Sequence, residues 1–145
     1  MKKNNHTGLS REWFAKALED LEYARVGVRE TAHYGLACFH CQQAVEKYLK
    51  GFLVLKGKPA RKVHLLRILL TQCGKIDKGF ERFKVQANTL DAFYIPARYP
   101  VSQATFSKHE AEKAICVAEE IITFIDSKVC GGKDAEVAHD GEVAD

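Results

Sequence analysis

The segment Tyr94-Ile95-Pro96-Ala97-Arg98-Tyr99-Pro100 carries the side chains best suited to hold a ligand. Its two prolines restrict the backbone and so pre-position the residues around them. The Arg98 guanidinium is a planar fork that can grip a phosphate or carboxylate with two parallel bonds. Tyr94 or Tyr99 can stack on a base. The plainer reading of the same residues is a stiff interhelix loop whose tyrosines cover the core. A second polar group, Gln43, Glu46, Lys47 and Lys50, falls within one helical pattern. Glu46 and Lys50 stand at i, i+4, so an ordinary exposed ion pair accounts for them. Leu36, Phe39, Leu53 and Val54 flank the patch, which points instead to an interface or a cleft edge.

Other reactive residue types form no site. The histidines (His6, His33, His40, His64, His109 and His139) are scattered. His33 and His40 share one side of a helix but lie roughly 10 Å apart along its axis, too far for one metal ion. They read as surface residues. Five cysteines, an odd number, and a basic start with no apolar segment after it, which does not read as a secretory leader, argue against a disulfide framework. Cys38 and Cys41 form a CxxC, but no second ligand pair completes a zinc site. The pair also falls mid-helix, whereas a reactive CxxC sits at a helix N-terminus. Small apolar core residues are the expectation. There is no Gly-rich phosphate loop, no HExxH and no nucleophile elbow. No metal, no cofactor and no catalytic residue is assigned.

These residues must be positioned by helices. Ser10 is a suitable N-cap, and Trp13, Ala17, Leu21, Ala24 and Val28 then recur at helical spacing, predicting a helix over 10–31. Residues 32–56 give a second helix, with a stripe through Tyr34, Ala37, Cys38, Cys41, Ala44, Val45, Tyr48, Phe52 and Leu55. Its other side is also partly apolar, so it packs centrally or against a second subunit. Gly57 and Pro59 end it. A short helix follows over 63–73, then a turn at 74–79. A fourth helix carries Phe80, Phe83, Ala87, Leu90 and Tyr94. A fifth starts at Ser107, with Glu110 completing a capping box, and buries Ala111, Ile115, Ala118, Ile122, Ile125 and Val129. The fold class is therefore all-α: an antiparallel up-and-down bundle of four main helices and one short one. Residues 1–9 read as a flexible N-terminal tail, 10–129 as the bundle, and 130–145 as a disordered tail.

Composition bounds the function without naming it. One domain is expected at 145 residues. A formal net charge of +3 is too weak to imply nucleic acid by itself, though it suits a modest anion site. No apolar run approaches the roughly 20 residues of a membrane span, and a cytoplasmic location is the expectation.

Three motifs together carry a family resemblance. Gln42-Gln43-Ala44-Val45-Glu46-Lys47-Tyr48-Leu49-Lys50 resembles the QQAxEKxLK helix of HEPN domains. His64-Leu65-Leu66-Arg67-Ile68-Leu69 is similar to their HxLxxL element, and Tyr94–Pro100 to their YxxxRYP segment. All three stand in the family's order, over about residues 10–128. The resemblance implies a helical bundle that commonly dimerises. It also implies a binding module that holds a nucleotide or pairs with a minimal nucleotidyltransferase, as in toxin–antitoxin systems. The resulting candidate set is Arg98, Tyr94, Tyr99, Lys47, Lys50, Gln43, Glu46 and His64. Other HEPN proteins are metal-independent ribonucleases with an Arg and a His separated by four to six residues. This chain departs from that pattern: Arg98 meets no histidine until His109, while Arg29–His33 and Arg61–His64 are too close. Two alternatives stay open. One is a degenerate ribonuclease in which Arg98 holds the scissile phosphate and His109 is the general acid/base. The other is a structural dimer without a ligand.

Overall fold

The structure is a computed structural model that describes residues 2–94 and 105–129, with side chains from His6 onward. Among the described residues there are five α-helices: α1 (Lys2–Glu30), α2 (Tyr34–Leu55), α3 (Leu66–Gly74), α4 (Lys84–Asp91) and α5 (Lys108–Val129). The expected fourth helix is a 3-10 run, Lys78–Phe83, that continues into α4. Among the described residues there is no strand, and no helix is long and apolar enough to cross a membrane.

α1 begins ahead of Ser10, so residues 2–9 are helical where the sequence predicts a tail. Ser10 is a buried mid-helix residue rather than a cap, its hydroxyl donating to the Thr7 carbonyl at 2.8 Å. A serine can satisfy its hydroxyl in this way inside a helix, and local sequence does not distinguish the two uses. The α2 C-terminus is set by Gly57, whose φ of +81° suits a residue without a Cβ. The Gly57 N–H donates to Val54 and the Lys58 N–H to Leu53, at 2.9 and 2.8 Å. This is the paired pattern of a Schellman cap. At α5 the expected capping box is in place. The Glu110 N–H donates to the Ser107 hydroxyl and the Ser107 N–H to the Glu110 carboxylate, each at 3.0 Å.

α1 and α2 form an antiparallel pair. Gly51 lies against Trp13 and Phe14 at one end, and Gly27 against Ala37 at the other. A Cβ at Gly51 would stand 2.6 Å from the Phe14 ring, so the close approach of the helices requires glycine. α5 runs alongside α2 in the same direction, with Phe106 at Gly35 and Tyr48 donating to Asp126. Direction alternates along the chain except at one step. Residues 56–65 carry the chain back along α2, so that α3 starts near Gln42 and ends near Leu49. The core joins Ala17, Leu21 and Ala24 of α1 to Cys38, Cys41, Val45 and Phe52 of α2, and to Ile121 and Ile125 of α5. Phe80 and Phe83 close it below, with rings 4.9 to 5.1 Å from those of Phe52 and Phe124.

Leu53 and Val54 are buried within the single chain. Much of the second apolar side of α2 is thus covered by the returning segment and α3.

Candidate functional site

The polar face of α2 is a buried clamp beneath a surface of rings. Gln42 is fully buried and donates its amide to the His64 carbonyl at 2.8 Å and to Asp91 at 3.1 Å. Asp91, from the end of α4, also accepts the Leu66 N–H at 2.7 Å and the Arg67 N–H at 3.1 Å. These are first-turn donors of α3, whose own N-cap Leu65 offers no side-chain acceptor. Asp91 therefore caps α3 from another helix, placing a carboxylate where the dipole favours one. Gln43 bridges Gln42 and Glu46 at 2.9 and 3.1 Å. Glu46 accepts from Lys50 at 3.0 Å and faces the His64 Nδ1 at 3.3 Å.

The Glu46–Lys50 pair is not the ordinary exposed pair that its spacing allows. Each residue is only 4% exposed, and the Lys50 ammonium also lies 5.5 Å over the Trp13 ring. Glu46 ties His64 of the 56–65 segment to α2, while Lys50 is held between Glu46 and the Trp13 ring of α1. Gln43, Lys47 and His64 reach the surface to differing degrees, His64 most of all.

Lys47 turns toward α1. It pairs with Asp20, which also bonds the His40 Nδ1 at 2.9 Å. Burial pushes the Asp20 carboxyl upward, but hydrogen bonds from His40 and Lys47 outweigh it and hold the carboxyl below its ordinary value. Sequence reasoning missed Asp20, His40 and Asp91. His40 reads locally as a surface residue. Only the returning chain gives Asp91 its partners.

Above these polar groups the rings form a continuous arc. Tyr23 stacks on His40 with centroids 5.1 Å apart, and His40 meets Phe39 edge-on at 5.6 Å. Phe39 lies 6.1 Å from Tyr94, which stacks on His64 at 5.8 Å and 14°. The arc crosses from α1 over α2 to the end of α4 and the 56–65 segment. Of the sequence-derived candidates, Tyr94, His64, Glu46, Lys50 and Gln43 come together here, with Lys47 on the α1 side. Arg98 and Tyr99 lie outside the described residues.

The CxxC is not poised for chemistry. Cys38 and Cys41 are fully buried, and burial pushes the Cys38 thiol up to about 12, with Glu110 adding to the rise. Burial, and then Cys38, raise Cys41 as well. Such thiols stay protonated and unreactive. Among the described residues no three His, Cys, Asp or Glu side chains gather as a metal-binding group.

A comparison with curated proteins finds no match. Among solved structures the chain is similar to TT1696 from Thermus thermophilus, with a TM-score of 0.75 and 31% sequence identity. That match covers 82% of this chain and 97% of the other. The HEPN domain family matches residues 10–128, which takes in the ring arc, the clamp and the α5 cap. The chain belongs to the HEPN domain family.

Proposed function

We propose that this HEPN chain is a binding module that holds a nucleotide on the ring arc and pairs with a minimal nucleotidyltransferase. The observation that carries the reading is the unbroken run of rings from Tyr23 to His64, part of it open to solvent. A base stacked on such a platform gains about 1–3 kcal/mol without hydrogen-bond readout. Arg98 follows Tyr94 by four residues, a reach of at most about 14 Å, and supplies the anion-gripping fork. The clamp keeps His64 and Tyr94 in place, so little ordering is needed on binding. The partner rests on family membership. The Arg–His spacing of the ribonuclease members is missing, so RNA cleavage is not part of the proposal.

Calorimetric titration with ATP and GTP tests the reading. Tyr94→Ala and Arg98→Ala should each weaken binding roughly ten- to a hundred-fold. Equal affinity in all three proteins would remove both residues from the site.

A homodimer is the second part of the proposal. Leu18 and Val26 are exposed on α1, and Leu36 is exposed near the start of α2. Such a patch favours burial against a second copy. Light scattering at micromolar concentration that gives only a monomer mass would exclude it.

A further inference from the structure

From Lys47 through Ile76 the chain carries eight lysines and arginines and no acid. Folding brings three of these cations to one concavity. Lys58, Arg61 and Lys75 line a cavity of about 310 Å³, with the Gln72 amide beside them and Leu53 and Ile76 as apolar walls. The backbone is fixed at two of them. The Lys58 N–H closes the α2 cap onto Leu53, and the Lys75 N–H bonds the Thr71 and Gln72 carbonyls at the end of α3. Among the described residues none of the three cations forms an ion pair.

Favourable helix dipoles explain part of this charge. Lys58 and Lys75 sit at the C-terminal ends of α2 and α3, each worth about half a negative charge. Three cations against two such termini leave about two positive charges unanswered. A single carboxylate would not balance them, whereas a di- or triphosphate would. Arg61 offers a bidentate fork, and the lysines act as point charges on the remaining oxygens.

We infer that the cleft between the α2 C-terminus and α3 is a second ligand site, for the di- or triphosphate group of a small anion. It is distinct from the ring arc, since Leu53 lies ten residues along α2 from Gln43, about 15 Å at the helical rise. The phosphate chain can arrive on a nucleotide or as free inorganic polyphosphate.

Calorimetric titration of the full chain at low salt with tripolyphosphate, and separately with ATP, tests the site. One tripolyphosphate per chain should bind, weakening as salt is raised. Arg61→Ala and Lys58→Ala should each weaken it roughly ten- to a hundred-fold. Both side chains are exposed, so the thermal midpoint should hold in both variants. Lys16→Ala removes an exposed cation from α1 and should change nothing. ATP binding that also weakens in Arg61→Ala identifies a nucleotide as a source, and ATP binding insensitive to it identifies free polyphosphate. Failure of tripolyphosphate to bind would overturn the inference. So would an equal loss in Lys16→Ala, which would reveal diffuse attraction. Tripolyphosphate binding lost in Arg98→Ala but kept in Arg61→Ala would also overturn it, placing the anion at the ring-arc site instead.

Discussion

Replacing Lys50 by alanine separates the two meanings of its spacing from Glu46. An exposed i, i+4 pair contributes about 0.2–0.5 kcal/mol. In the structure both side chains are only 5% exposed and the ammonium lies over Trp13. Removing it leaves the Glu46 carboxylate buried, with Gln43 and His64 as its remaining partners. Breaking a buried pair from one side costs about 3–5 kcal/mol, and the lost contact of the lysine stem with the indole adds to the penalty. For a chain near 150 residues each kcal/mol shifts the midpoint by about 2–4 °C, so a drop of roughly 6–20 °C is expected. Urea unfolding followed by circular dichroism at neutral pH measures the free-energy loss, and a thermal scan the midpoint. The double variant Glu46→Leu with Lys50→Met should recover much of the loss, because an apolar replacement of both partners leaves no orphaned charge. A Lys50→Ala loss below about 0.5 kcal/mol would refute the clamp and restore the exposed pair.

Three further outcomes follow from the same geometry. Asp91→Ala should cost about 2–4 kcal/mol, read by urea unfolding, because it leaves one N–H of the buried Gln42 amide without its acceptor and removes the acceptor for two α3 donors. The Asp20 carboxyl is held below its ordinary 3.8, so its stabilisation is present above that pH and is lost as pH falls toward the folded value. Asp20→Asn should therefore flatten the acid limb of a stability-versus-pH curve between about pH 5 and 2. Cys38, Cys41 and Cys73 should resist a thiol reagent in the native protein while the exposed Cys116 reacts, and should become reactive when the chain is unfolded.

The elements built from local signals were legible in the sequence. The apolar stripe of α2, the Gly57 stop and the Ser107–Glu110 box all depend on residues within a turn or two of each other. The start of α1 was not, because Ser10 finds its acceptor in Thr7 and leaves no cap to mark the boundary. The burial of Glu46 and Lys50 was hidden for a different reason. The same four-residue spacing serves a solvated face and a sealed one, and only the tertiary neighbours, His64 of the returning segment beside Glu46 and Trp13 of α1 beneath Lys50, decide between them. The ring arc was visible in part. Tyr94 and His64 stood among the sequence-derived residues, while Tyr23 and His40 enter only through the packing of α1 on α2. Asp91 as a cap for α3 joins residues 25 apart, beyond the reach of any pattern along the chain.

Two-dimensional NMR of the isotope-labelled chain titrated with ATP tests the binding face most directly. The resonances of His64, Tyr94, Phe39 and His40 should shift together and saturate at one nucleotide per chain. Nucleotide binding that shifts none of these four, or no binding at millimolar ATP, would contradict a nucleotide site on the ring arc.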